Sequence, residues 1–265
     1  MNRTPAPLAT MTRWDTRSFL RALAATLVGL AVVWLVTAAT DEGHLSFGVR
    51  AGRTLPIAPL CSAIGAALAL GTARVRDETR ALEALGRSPG ETARAAALGA
   101  ATPSVLVALA LAVSPAIDVS GFYPRPPRGD TFTYADGAFA SASLGVRVAA
   151  DGEPRPIEGT EVGADEGLPR AARLSAATAT AASGFALALV AARAVLRASL
   201  LDRRARRRRR TVAIAQVAAC AMFTLVAFQA AAARVAPALL AALPPAALLA
   251  VALVSYRSDG HEQAV

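Results

Sequence analysis

The chain has 265 residues, 54% of them hydrophobic and 5% aromatic, a composition too apolar for a soluble domain of this length and suited to a bilayer. Its net charge is +9, and all 28 basic residues are Arg. Without Lys there is no conventional P-loop, so the chain is not its own ATPase. His44 and His261 are the only histidines, and neither can complete a catalytic triad or an HExxH zinc site with its neighbours. These features predict a protein that is not an enzyme and holds no cofactor or metal.

The first apolar stretch, Ala22–Ala39, follows Arg3, Arg13, Arg17 and Arg21. It contains Trp34 and runs into Thr40-Asp41-Glu42 instead of a small-residue cleavage site, which makes it a retained helix and not a signal peptide. Five more stretches follow: Leu55–Ala73, Ala95–Ile117, Leu174–Ala192, Thr211–Ala233 and Val235–Tyr256. Each approaches the roughly 18 to 25 residues that cross about 30 Å of hydrocarbon. The expected fold class is therefore an all-α membrane protein of six transmembrane helices. Its N-terminal transmembrane half covers residues 1–117, an insert covers 118–173 and the C-terminal half covers 174–265.

Cys61 and Cys220 lie inside apolar stretches and read as small buried hydrophobes. The spans hold no Asp or Glu, which argues against an ion-coupled carrier. Gln216 and Gln229 are expected to hydrogen-bond between helices, and Arg193 to snorkel inward from just past the fourth span.

Arg content alternates between the loops. It is high before the first span, between the second and third (Arg74, Arg76, Arg80, Arg87, Arg94) and between the fourth and fifth (Arg197, Arg203, Arg204, Arg206–Arg210). The first loop holds only Arg50 and Arg53 against Asp41 and Glu42, and the fifth only Arg234. The inside-positive rule then places both termini in the cytoplasm, with the chain multi-pass in a bacterial inner membrane. The 203–210 run reads as a topology determinant that also attracts anionic membrane lipid, so no nucleic-acid partner is expected.

The insert Asp118–Arg173 is expected outside the cytoplasm as a small β-rich segment. It opens with Tyr123-Pro124-Arg125-Pro126-Pro127, then alternates over Thr131–Tyr134 and Ala140–Val148 around a turn at Ala135-Asp136-Gly137, which predicts a hairpin. A second turn is expected at Asp151-Gly152 and a loop over Glu153–Gly167.

The segment between the second and third spans, residues 74–94, carries the most information. Val75, Thr79, Leu82 and Leu85 recur at helical spacing, opposite Arg76, Asp77, Arg80 and Glu83 with their i,i+3 charge pairs. Gly86 should end this short helix, and Ser88-Pro89-Gly90-Glu91 should cap the next. Gly86-Arg87-Ser88-Pro89-Gly90 also fits the hydrolase nucleophile elbow, but that motif needs a preceding strand and here the preceding pattern is helical.

This segment resembles that of the LptF/LptG (YjgP/YjgQ) permeases of the lipopolysaccharide ABC exporter. Their pattern of Glu, then Ala-Leu three and four residues on, Gly at eight and Ser at ten is matched by Glu78, Ala81, Leu82, Gly86 and Ser88. Leu55-Pro56 opens the second span, and Pro237, Ala241, Leu243-Pro244 and Pro245 are similar to the family's proline-bearing sixth helix. The insert is shorter than the family's jellyroll. FtsX/MacB-type permeases carry a comparable Glu, Leu, Gly run, so a mechanotransmission or scaffold protein without transport is the alternative.

The resemblance implies a permease subunit that extracts lipopolysaccharide or a related amphiphile. Helix Arg76–Gly86 would be its coupling helix, seated in a cytoplasmic LptB-like ABC ATPase with Leu82 and Leu85 as apolar anchors and Glu78 as a polar contact. It further implies a second permease subunit and a periplasmic lipid-accepting protein. Arg50 and Arg53 would contact lipid head groups at the outer rim.

Overall fold

The computed structural model describes residues 12–40, 47–123, 133–135, 137–141, 146–149, 151–156, 168–169, 171–199 and 203–262. Long Ala- and Leu-rich stretches favour helix, the one local structure that satisfies every backbone group within its own turns. The helices are α1 (Arg13–Thr40), α2 (Phe47–Thr54), α3 (Ala58–Gly71), α4 (Ala73–Ala84), α5 (Pro89–Val113), α6 (Ala172–Ser199), α7 (Arg203–Ala232) and α8 (Leu243–Glu262).

Among the described residues, five helical stretches are long and apolar enough to cross a membrane: α1, the run Phe47–Gly71, α5, Ala172–Arg197 and Arg207–Ala232. Their outer faces expose large apolar side chains, including Val28, Leu35, Leu68, Leu109, Ile214 and Phe223. Such a surface is unfavourable against water and ordinary against lipid.

Two expected spans differ from what forms. The second begins at Phe47 and not Leu55, because a 3-10 turn at Leu55–Ile57 joins α2 to α3. Pro56 and Pro59 fall in the opening turns of their elements, where a missing N–H costs nothing, so the chain need not break there. The sixth, expected over Val235–Tyr256, is a shorter apolar helix, Ala238–Val254. Its first residues, Ala238–Ala242, form a 3-10 turn, and Pro244 and Pro245 open the α-helix proper.

Helix α6 lies at the centre, with α3, α5, α7 and α8 all packed on it, while α1 closes the bundle against α3 and α5. The core is mainly Ala, which lets helix axes approach closely. Gly65 meets Thr26 of α1, Gly99 meets the α1 backbone at Phe19, and Gly184 of α6 meets Ser104 of α5, each so near that an added methyl would collide. The hydroxyls of Ser62 and Ser104, 2.7 Å apart and buried, tie α3 to α5. Ser175 donates to the carbonyl of Ala238. The glutamines expected in such a role lie elsewhere: Gln216 lines a cleft and Gln229 is exposed. Cys61 and Cys220 are buried free thiols.

Between α5 and α6 in the chain stand four short strands, β1 (Thr133–Ala135), β2 (Ala138–Ser141), β3 (Val146–Val148) and β4 (Pro154–Pro156), in one antiparallel meander. Ala135 pairs with Ala138 across the first hairpin, and Gly137 stands at φ 74° as such tight turns require. Strand β4 forms where a loop is expected. It lies at the sheet edge, where Pro154 and Pro156 are tolerated because one side needs no partner. His44, the strip 124–127 and the expected loop beyond residue 156 lie outside the described residues. At this end of the bundle the Arg173 guanidinium, at the start of α6, donates to the carbonyls of Ser114, Ile117 and Pro115 at 2.8, 3.1 and 3.1 Å, closing the end of α5.

Candidate functional site

At the opposite end, α4 and the turn after it form a charged helix hairpin between α3 and α5. The chain leaves α3 at Thr72, whose backbone is extended at ψ 150° and whose hydroxyl accepts the Val75 N–H at 3.4 Å. Along α4, Arg74 pairs with Glu78 at 3.2 Å and Arg80 with Asp77 at 3.7 Å. These pairs are largely open to solvent and add little to stability. Val75 and Thr79 turn inward, 3% and 1% exposed, and hold α4 against the bundle.

The C-terminus of α4 is a Schellman cap. Gly86, at φ 87°, donates to the Glu83 carbonyl at 2.9 Å, and the Arg87 N–H donates to the Leu82 carbonyl at 3.0 Å. Two residues on, Ser88 starts α5 with a capping box: its hydroxyl accepts the Glu91 N–H at 3.2 Å, and its own N–H donates to the Glu91 carboxylate at 3.0 Å. The turn is therefore fixed from both sides.

The structure gathers Glu78, Ala81, Leu82, Leu85, Gly86 and Ser88 on this one helix and turn, with two departures from the expected amphipathic face. Leu85 leaves the helical spiral at the cap and stands 84% exposed at the tip, while Leu82 is half-buried. Arg76 and Glu83, expected toward solvent, are half-buried, and Arg76 Nε and Glu83 Oε1 are buried without a hydrogen-bond partner among the described residues. Burial pushes the Glu83 carboxyl above its ordinary range, with the Arg80 charge pulling the other way. Ala81 is exposed and Glu78 half-buried.

One contact has no local signature in the sequence. Arg87, in the turn, forms an ion pair with Asp15 in the first turn of α1, and its guanidinium lies 5.4 Å from the centre of the Trp14 ring. Asp15 is itself part of a capping arrangement. Its carboxylate accepts from the Thr12 N–H at 3.1 Å and the Thr12 hydroxyl at 2.7 Å, and its N–H donates to Thr12 Oγ1 at 3.3 Å. The Thr12-x-x-Asp15 spacing is a visible capping signal, but nothing local links it to a residue 72 positions away. The hairpin is thus bonded directly to α1.

Arg50 and Arg53 lie at the other end of the bundle, on α2 and not in a loop. Arg50 is half-buried with its guanidinium 5.9 Å from the centre of the Trp34 ring, and Trp34 in turn packs on Phe47 at 5.2 Å between ring centres. They share no site with α4.

No protein-family model matches the chain, nor does any curated protein or solved structure.

Proposed function

We propose that the chain is the permease subunit of an ABC-type lipid exporter, moving lipopolysaccharide or a related amphiphile out of an inner membrane under the drive of a separate cytoplasmic ATPase. The observation that carries this reading is the α4 hairpin: a helix about 18 Å long, capped at both ends, bonded to α1 and tipped by an exposed leucine. A soluble partner that grips Leu85, with Leu82 beside it and Glu78 as a polar contact, obtains a handle on three helices at once. A push on α4 turns α3 and α5, and the close contacts at Gly65, Gly99 and Gly184 pass that rotation to α1 and α6 as rigid-body motion.

The Arg-rich end belongs to the cytoplasm on the inside-positive rule, which puts α4 within reach of an ATPase and counts α8 as the sixth span. Helices α1 and α7 are the least covered, only 11% of each apolar window being buried. A second permease subunit facing them would enclose an apolar cavity for acyl chains, with Arg50 and Arg53 at its outer mouth and a periplasmic lipid-accepting protein beyond.

The mechanotransmission alternative draws on the small size of the outer sheet, whose strands are three or four residues long. Lipid retained by the purified complex supports export; a bound ATPase with no lipid cargo supports mechanotransmission.

The test is the full chain purified from its native membranes and assayed for ATP hydrolysis. Leu85→Asp alters an exposed side chain, so it should leave helix content unchanged and abolish the associated ATPase activity. Activity that persists in the variant, or is absent from the parent, overturns the proposal.

A further inference from the structure

At the α4 end, α6, α7 and α8 bound a cleft of about 510 Å³ that the exporter reading does not use. Arg193 and Arg197 line it from α6, and Arg208 and Arg209 line it from α7. Deeper in, Val212 of α7 and Leu248 of α8 make its walls apolar. Among the described residues no carboxylate lines it, and no ion pair engages Arg208 or Arg209.

The way the cleft is built follows from the polybasic run. Seven of the eight residues from 203 to 210 are Arg, and the exception is Ala205. On a helix, positions 205, 208, 209, 212 and 216 share one face, and that face lines the cleft. The one small side chain in the run therefore sits where it leaves room between guanidinium groups. From the other wall, Arg193 reaches across and donates to the Ala252 carbonyl of α8 at 3.2 Å, which fixes its position in advance. Arg208 and Arg209, exposed and adjacent on α7, carry like charges that repel one another until an anion enters. The charge at the mouth and the hydrocarbon within also demand different things of the occupant: a phosphate-like anion at one end and an alkyl chain at the other.

We propose that this cleft is a stoichiometric site for one anionic phospholipid of the adjoining leaflet, its phosphodiester held by Arg208 and Arg209 and an acyl chain lying along Val212 and Leu248. This differs from the diffuse attraction of a basic run to a charged membrane, because it assigns different duties to arginines on different faces of α7. It is independent of any ATPase.

The experiment is native mass spectrometry of the detergent-purified chain titrated with phosphatidylglycerol, with phosphatidylcholine of the same acyl chains, and with glycerol phosphate. The expected result is one tightly retained phosphatidylglycerol. The R208Q/R209Q double variant should bind it about thirtyfold more weakly, from two charges of ordinary strength, while R204Q/R207Q, with the same loss of charge from other faces, should stay within about twofold. Ala205→Leu, which fills the mouth and keeps every charge, should also expel the lipid. Both pairs of Arg variants losing affinity equally would mean a diffuse basic surface. Equal retention of phosphatidylcholine would mean an apolar groove alone, and equal binding of glycerol phosphate a free-anion site. Each of these results overturns the proposal.

Discussion

The ion pair between Arg87 and Asp15 can be tested by a double-mutant cycle. Breaking a fully buried pair costs about 3–5 kcal/mol. The Arg87 and Asp15 side chains are 21% and 11% exposed, so some solvent reaches them. We take about 2 kcal/mol for Arg87→Gln, a discount on the buried figure. Asp15→Ala loses the same pair and also its capping bonds with Thr12, worth about 1 kcal/mol more, for about 3 kcal/mol in all. Once the pair is gone it cannot be lost again, so the double variant should cost about 3 kcal/mol and not 5, a coupling of about 2 kcal/mol. Reversible denaturant unfolding in mixed micelles, followed by helical circular dichroism, measures all four corners. Arg87→Gln should lower the melting temperature by roughly 4–8 °C for a chain of this size. Single effects that add to within about 0.5 kcal/mol would show that the hairpin is not bonded to α1, and the route from α4 to α1 would be lost.

Three further outcomes follow from the same end of the bundle and its core. Gly86→Ala forces a Cβ into a positive-φ cap and should cost about 1–2 kcal/mol, seen as a lower melting temperature; no change would mean that the Schellman turn does not hold α4. Because burial raises the Glu83 carboxyl in the folded protein, the folded state binds its proton more tightly than the unfolded one. That contribution is fully present at pH below the unfolded carboxylate range and is lost as pH rises through the folded value. Glu83→Gln should therefore melt higher than the parent at pH 7, with the gain vanishing as the pH falls into the carboxylate range; a lower melting temperature at pH 7 would contradict this. Ser104→Ala removes the buried hydroxyl pair with Ser62 and should cost about 0.6 kcal/mol, measured by the same micelle unfolding.

Local rules carried the reading far where the signal itself is local. Gly86 and Ser88 mark the end of α4 and the start of α5 because caps depend on residues within one turn of each other. Asp136-Gly137 marks a hairpin for the same reason. Local rules failed at Leu55-Pro56, where proline suggests a boundary: a 3-10 turn carries the helix through and draws Arg50 and Arg53 into it. At Leu85 spacing alone was not enough: it puts the residue on one face with Val75 and Thr79, but its place at the cap turns it out to solvent while they are buried. Arg76 and Glu83 show the same limit, since charge alone predicts exposure and packing half-buries both.

The sequence by itself determined that long apolar helices form, roughly where their apolar cores lie, and that a short charged helix stands between the second and the third. Each of these follows from hydropathy over about 20 residues or from hydrogen bonds within one turn. Tertiary structure decided which helix is central, that Arg87 meets Asp15, and that Arg193, Arg197, Arg208 and Arg209 converge on one cleft. Those outcomes depend on how closely Gly- and Ala-lined helices approach and at what rotation, which the sum of many small packing contacts sets and no single stretch encodes.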